Sequence, residues 1–440
     1  MLSRIGLAAL LVAVAAAVAF GVWRFSARTV EAPSVAVLPF TSPGPDPQAG
    51  YFTDGFHDAV ITQLARIQGL KVISRISVLS YRDGPRDLPT IAHALGVGHV
   101  VEASVQRAGE RLRVSARMVG ASGREVWFAD YDRTPADIFE VQADLARQIA
   151  RVIDARLTLE EEARLEQAPT ADLQAYELYL RALEVENRTP PDKAALLQAL
   201  GWIDEAIGRD QSFALAHALA SRLLMTIYWV VGEYDQARLP VAHDHARRAV
   251  ELAPALAQPH LAMALYWYWG HREYEKALGS LGDAQALEPN SSSVSFLAGS
   301  IYRRLGRWDV SIAASRKAAQ LDPRNARNLQ VYADVLMGTR NFRDAEQVLA
   351  SLSGVAPRSP LAMMMRVQNQ LRWTGEADAL APDVARFRPG EDPYCLAQLA
   401  QFEVLVLKRQ FQAASAAILA CSGDSIGALH NVPAPKQQYA

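Results

Sequence analysis

The hydrophobic and polar positions along the chain follow three successive patterns. Residues 5–23 form an apolar run that no charged side chain interrupts. Residues 33–157 mix short apolar or alternating runs with longer stretches of helical period, and residues 171–421 follow the helical period almost throughout. Because side chains alternate in strands and repeat about every 3.6 residues in helices, the pattern predicts a membrane helix, an α/β domain and an all-α region, in that order.

The α/β region, residues 33–157, has the pattern of a mixed sheet with flanking helices. The run over 111–119 alternates apolar and polar residues, which is typical of a strand with one face in water. Glycine-containing connections on both sides of this run indicate antiparallel hairpins. The pattern predicts strands over 34–40, 70–74, 99–106, 111–119 and 124–131, and helices over 51–67, 90–95 and 137–157.

The all-α region, residues 171–421, carries a proline-terminated motif of nearly constant period. Pro254 and Pro289 lie 35 residues apart, and Pro323 and Pro357 follow at intervals of 34. A helical hairpin cannot bury its apolar face alone, so such units stack into a solenoid. The period and the terminal proline resemble tetratricopeptide repeats. We predict about seven helix pairs, clearest over 258–357, between a helical linker at 158–170 and a flexible tail at 422–440.

The apolar run over residues 5–23 is long enough to cross the hydrocarbon core of a bilayer, which is about 30 Å thick. Trp23 at its end suits the membrane interface. Ala17 and Ala19 form a signal-peptide cleavage motif, so the alternatives are a single-pass anchor and a cleaved signal. Positive charges are balanced across the run and leave its orientation open. We favour the anchor, with residues 1–32 as anchor and linker.

Composition narrows the functional classes. The 440 residues carry 45 basic and 47 acidic side chains, for a net charge of −2, so no basic excess favours nucleic-acid binding. Two cysteines are too few for a four-cysteine zinc site or a cysteine-ligated iron–sulfur cluster. No phosphate-binding glycine motif or catalytic constellation is evident. We predict a non-enzymatic protein with no cofactor, metal, nucleic-acid partner or small-molecule substrate.

Tetratricopeptide arrays usually bind peptides on the concave face, which the first helix of each pair lines, and the resemblance implies such a groove here. With repeats starting at 258, 292 and 326, one stripe of each first helix faces the groove. The run YWYW at 266–269 favours an aromatic lining, and packing of these rings in the core is the alternative. The candidate groove residues are Tyr266, Trp269, Phe296, Arg303, Gln330 and Asp334.

Cys395 and Cys421 lie on the two arms of the last predicted hairpin, which turns near Arg409. Their similar distances from the bend place them within reach of a disulfide. A disulfide would favour an extracytoplasmic compartment. Two buried free thiols are the alternative.

Four blocks of the α/β region occur in a characteristic order: YFTDGFHDAVITQLARIQGLKVISR from residue 51, IAHALGVGHVVEASVQRAGERLRVSARMV from 91, GREVWFADYDR from 123 and DIFEVQADLARQIARVI from 137. They resemble the TolB amino-terminal-like domain, also called FlgO-like. Such domains usually accompany tetratricopeptide arrays, and in many relatives a winged-helix or adenylate-cyclase domain precedes one membrane helix. We expect no effector domain before the anchor here, because four residues precede the apolar run.

The resemblance implies a bacterial inner-membrane protein whose bulk lies in the periplasm, or alternatively a periplasmic protein released by signal cleavage. We expect a scaffold that binds a protein or peptide partner in its groove and the membrane through residues 5–23. One alternative is the sensory half of a split signalling protein. A further alternative is an enzyme, for which the sequence offers no site.

Overall fold

The computed structural model describes residues 33–42, 47–84, 87–109, 111–187, 192–376 and 396–419. The predicted membrane helix over 5–23, Cys395, Cys421 and the predicted tail over 422–440 lie outside these ranges. Within them, every helix is too short or too polar to span a bilayer.

Five strands form one mixed sheet, with the bounds Ser34–Val37 (β1), Lys71–Val72 (β2), His99–Ala108 (β3), Arg111–Gly120 (β4) and Glu125–Arg133 (β5). The order is β2-β1-β3-β4-β5. Strand β1 is parallel to β2 and β3, whereas β3, β4 and β5 are antiparallel neighbours. The predicted mixed sheet is confirmed. In β4 the predicted alternation is also present, with Leu112, Val114, Ala116 and Met118 buried.

Helices cover both faces of the sheet. They are α1 (Pro47–Ala65), α2 (Arg75–Val78), α3 (Leu88–Leu95) and α4 (Ile138–Val152). Helices α1 and α4 share a core with Val35 and Val37 of β1, whereas α3 shares a core with Ala36 and Leu38. Residues 35–38 are all apolar because the chain here is buried on both faces of the sheet.

Antiparallel helix pairs of tetratricopeptide type form most of the described part of the chain after the linker helix α5 (Leu159–Leu165). The pairs are α6–α7 (Leu173–Glu186, Lys193–Arg209), α8–α9 (Ala214–Trp229, Arg238–Leu252), α10–α11 (Ala257–Leu265, Tyr274–Leu287), α12–α13 (Ser292–Arg304, Trp308–Leu321), α14–α15 (Ala326–Gly338, Phe342–Val355) and α17–α18 (Leu396–Leu407, Phe411–Leu419). Helix α16, Pro360–Thr374, contacts α15 and α17. The predicted helical solenoid is confirmed.

Side chains that cap free backbone N–H groups set the register of the repeats. The Ser291 side chain accepts a hydrogen bond from the Val294 N–H at the start of α12. Asn325 and Ser359 cap α14 and α16 in the same way. These caps are 34 residues apart, and each fixes where the first helix of a pair begins.

The turns within the pairs α10–α11, α12–α13 and α14–α15 each have a left-handed residue at the same register. Arg272, Gly306 and Arg340 have φ of 57°, 67° and 62° and lie 34 residues apart. This conformation costs an L-residue free energy that glycine avoids. The 34-residue period therefore appears in the backbone as well as in the sequence.

Gly306→Ala should lower the free energy of unfolding by about 1 kcal/mol, because alanine is strained at a φ of 67°. Gly282→Ala is the matched control, since it lies inside α11 and should gain about 0.5–1 kcal/mol from helix propensity. An added Cβ meets no atom within 4 Å at either position. Urea unfolding of both variants measures the contrast, and two equal stabilities would contradict a left-handed turn at Gly306.

The α/β domain and the first helix pairs share one hydrophobic core. Buried residues of the sheet, α1, α4, α6, α7 and α8 form a continuous cluster. Helix α1 approaches α6 closely at Gly55, where a Cβ atom would lie 2.6 Å from the Leu180 side chain. Only glycine allows the two helices this separation. The domain is thus packed on the array as part of the same core.

Further along the array, the α/β domain contacts the turns that join successive helix pairs. The Asn290 side-chain amide donates hydrogen bonds to the Gln68 carbonyl at 2.8 Å and the Leu70 carbonyl at 3.2 Å. Asp322, which is fully buried, accepts hydrogen bonds from the Ser74 and Ser77 hydroxyls. The domain therefore extends along one edge of the array.

Candidate functional site

The first helix of each pair lines the inner face of the array. Helix α8 contacts α10, and α14 contacts both α12 and α16, whereas the second helices of the described pairs make at most weak contact with one another. An array whose first helices lie closer together curves towards them. The predicted groove therefore corresponds to the face that α8, α10, α12, α14 and α16 form.

Four of the predicted groove residues lie together on α12 and α14. Phe296 and Arg303 are two turns apart on α12, and Gln330 and Asp334 are one turn apart on α14. Arg303 forms an ion pair with Asp334 across the two helices, with the Arg303 side chain 26% exposed and the Asp334 side chain 47% exposed. The pair is therefore accessible to a ligand while being fixed in position.

These four residues on α12 and α14 form one stripe, and its aromatic residue, Phe296, contacts a cation. The Arg327 guanidinium lies over the Phe296 ring, 4.8 Å from its centroid, and such a contact contributes roughly 0.5–1 kcal/mol at a partly exposed site. Burial lowers the pKa of Arg303, and the neighbouring Arg304 lowers it further. Arginine stays protonated in proteins, so the stripe presents a guanidinium, a carboxylate, an amide and a ring. This combination suits a polar peptide with an apolar side chain.

Tyr266 and Trp269 are mainly core residues, and each is 8% exposed. The Tyr266 ring packs against His243 and His271, each 4.9 Å between centroids, and the Tyr266 hydroxyl hydrogen-bonds His271 at 2.8 Å. The contact with His243 joins the turn after α10 to α9, the second helix of the preceding pair, and the contact with His271 lies within that turn. Little of either ring is free for a peptide, and peptide contact through them stays a prediction.

A π-helical turn over Tyr266–His271 explains this placement. Helix α10 begins one residue earlier relative to its left-handed turn than α12 and α14 do, and a wider turn absorbs such an extra residue. The turn rotates the aromatic run. Tyr268 then lies close enough to Arg303 and Arg327 to raise the pKa of both guanidinium groups. The 35-residue spacing from Pro254 to Pro289 was the sequence signal for this change.

A second polar cluster lies where α1 meets the inner face. The Arg222 guanidinium on α8 donates two hydrogen bonds to the Glu186 carboxylate, at 2.7 Å and 2.6 Å. Asp58 of α1 lies beside them. Burial raises the pKa of Asp58, while the charge of Arg75 opposes that rise. Asp58 also interacts with Arg222 and with the Asn187 side chain, so this cluster connects α1 to the array.

Histidines on different helices also meet in the array. The Nδ1 atoms of His217 on α8 and His245 on α9 are 3.0 Å apart, and burial lowers the pKa of both rings. Sequence spacing gave no sign of this pair because the two residues lie on separate helices. In the part of the chain that the structure describes, no three histidine, cysteine, aspartate or glutamate side chains form a metal-binding group. Cys395 and Cys421 lie outside that part.

Comparison with curated proteins gives a relative over about half of the chain. The chain is 33% identical over 244 residues to putative adenylate cyclase 3 of Rhizobium meliloti (strain 1021), a match that covers 54% of this chain and 41% of the relative. The chain thus spans about two fifths of that protein's length. No protein-family model matches the chain.

Solved structures with helical repeats superpose on parts of the chain. Pseudomonas aeruginosa PilF is 17% identical with a TM-score of 0.41, covering 55% of this chain and 97% of PilF. A thermophilic tetratricopeptide protein of Thermus thermophilus is 14% identical with a TM-score of 0.38, covering 45% of this chain and 99% of its own. Both superpositions are too loose to carry an argument. The tetratricopeptide assignment rests on the helix pairs and their 34-residue register.

Proposed function

We propose that the chain is a non-enzymatic interaction scaffold that binds a protein or peptide on the inner face of its helical array. The observation that carries this proposal is the stripe on α12 and α14, where the ion pair between Arg303 and Asp334 stays partly exposed. A core interaction would be fully buried, and a surface pair of convex helices would have no concavity around it. Here the pair lies where first helices converge.

The position of the α/β domain supports this proposal. Its contacts with the later repeats go to the turns that carry Asn290 and Asp322. Phe296 and Gln330 keep their partial exposure with the domain in place. The domain therefore leaves this part of the inner face open to a partner. We further propose that the α/β domain is of the TolB amino-terminal-like type and that residues 5–23 anchor the chain in the inner membrane.

A second candidate function is the sensory part of a signalling protein. The similarity to a protein named a putative adenylate cyclase favours it. In this version, the partner bound by the array would be, or would control, a separate effector. The two candidates share the groove and differ in what the bound partner does.

The groove is tested with a double variant, Arg303→Ala with Asp334→Ala, in the full chain purified from native membranes. Replacing both charges removes the ion pair without leaving one charge unpaired. The expected result is the loss of a co-purifying protein that the wild type retains. Arg343→Ala, at an exposed position on α15, is the matched control and should retain it. Unchanged recovery with the double variant would refute binding at this stripe.

A further inference from the structure

A cavity of about 980 Å³ lies between the α/β domain and the first helix pairs. One wall is the face of α1 that carries Ala59, Thr62 and Gln63, together with Arg66, which directly follows the helix. The other walls are α6 and the segments 167–172, 209–215 and 252–256, which precede or join helix pairs. Sites for small molecules are often concave, lie at such domain junctions and reach this size.

Arg66 is a buried cation in this cavity and is 8% exposed. Its Nη1 donates hydrogen bonds to the Gln63 side-chain oxygen at 2.9 Å and to the Arg164 carbonyl at 3.3 Å. Its Nε is buried and has no hydrogen-bond partner among the described residues. Within those residues, no carboxylate lies within ion-pair distance of the guanidinium. A buried charge without a close counterion is costly.

Glu288 is the acidic group with the largest attraction on Arg66. Its carboxylate lies beyond ion-pair distance and accepts a hydrogen bond from the Gln258 side chain at 3.2 Å. Burial lowers the pKa of Arg66 and raises that of Glu288. In each case burial disfavours the charged form of the side chain. Glu288 therefore does not fully balance the positive charge of Arg66.

The other charges of the cavity wall already have close partners. Arg209 forms an ion pair with Asp172 at 3.6 Å. Asp210 accepts hydrogen bonds from the Thr170 hydroxyl at 2.6 Å and from Ser212. Neither carboxylate is available to Arg66. The apolar part of the wall comes from Leu180, Leu183, Leu215 and Leu256, together with the Tyr176 and Tyr179 rings.

We propose that this cavity binds a small organic carboxylate, with its carboxylate on Arg66 and its apolar body against the leucines and tyrosines of α6 and the neighbouring turns. A carboxylate can accept two N–H bonds from the fork of a guanidinium, and the Arg66 side chain lines this cavity without a close counterion among the described residues. Since the walls belong to the α/β domain and to the array, a bound molecule would join the two. This site is separate from the groove on α12 and α14.

Isothermal titration calorimetry of the full chain in lipid nanodiscs tests this proposal. The probes are 4-phenylbutyrate, its uncharged amide 4-phenylbutyramide, and inorganic phosphate. We expect 4-phenylbutyrate to bind one site, with the amide and phosphate at least tenfold weaker, because one lacks the anion and the other the apolar body. Arg66→Met should weaken 4-phenylbutyrate binding at least tenfold, and Arg343→Met on α15 should not change it.

A second variant keeps the test decisive if Arg66→Met does not fold. Ala59→Trp places a large ring in the cavity while retaining Arg66, and it should also weaken binding at least tenfold. Absence of 4-phenylbutyrate binding to the wild type would overturn the proposal. So would binding that the amide or phosphate matches, or binding that a folded Arg66→Met and Ala59→Trp both retain.

Discussion

Replacing Gly55 with leucine should lower the free energy of unfolding of the full chain by about 3 kcal/mol. The cause is steric, since even the first added carbon would lie 2.6 Å from the Leu180 side chain. Leucine is a better helix former than glycine, so helix propensity opposes the loss. To accommodate the leucine side chain, α1 and α6 must separate, which opens the core that the α/β domain shares with the array. Urea unfolding followed by tryptophan fluorescence measures the change.

Gly50→Leu provides the matched control on the same helix. An added Cβ at Gly50 meets no atom within 4 Å, so this variant should be as stable as the wild type or more stable. If Gly55→Leu and Gly50→Leu unfolded at the same urea concentration, the close contact between α1 and α6 would be wrong.

Acid should destabilise the fold through His57, which is fully buried on α1. Its Nε2–H donates to the Val37 carbonyl at 2.9 Å, and its ring packs on Phe40. Burial lowers the pKa of His57 to about 3, and Arg75 and Arg82 add to the effect. Between pH 6.5 and pH 3, the unfolded chain binds a proton that the folded chain does not. Stability therefore falls as pH falls across this window, by up to about 1.4 kcal/mol per pH unit.

His57→Gln isolates this contribution, because an amide can still donate to Val37 but does not titrate. The stability difference between wild type and variant should change by about 3 kcal/mol between pH 7 and pH 4, with the wild type losing more. Subtracting the two curves removes the contribution of other groups, such as His217 and His245, whose pKa values burial also lowers. Parallel pH curves would mean that folding does not lower the pKa of His57.

Periodicity predicted which elements form, because it reports which face of an element is buried. The alternation over 111–119 gave β4, and the apolar stripe over 137–157 gave α4. Two positions had no such signal. From the sequence alone, Gly55 is a residue of low helix propensity, and Arg66 is expected to be an exposed charge. Their roles depend on Leu180 and on the turns near residues 170, 210 and 253, which lie far away in sequence.

Register explains where the helices place the six residues predicted to line the groove, whose role in binding stays a prediction. Phe296, Arg303, Gln330 and Asp334 fall on one stripe because α12 and α14 have the same length and begin 34 residues apart. The prediction assigned Tyr266 and Trp269 to the groove from the same positions within their repeat. The π-helical turn in their repeat moves Tyr268 towards Arg303 instead. A single extra residue in a helix rotates the following side chains by about 100°, so one insertion is enough to change the face.

Site-specific photocrosslinking in the native host tests the proposed function most directly. Benzoylphenylalanine would replace Gln330 on the inner face in one strain and Val310, which is 47% exposed on α13, in another. The groove predicts a discrete adduct with another protein from position 330, lost when Arg303→Ala is added, and no such adduct from position 310. No adduct from position 330, or the same adduct from both positions, would contradict the proposal.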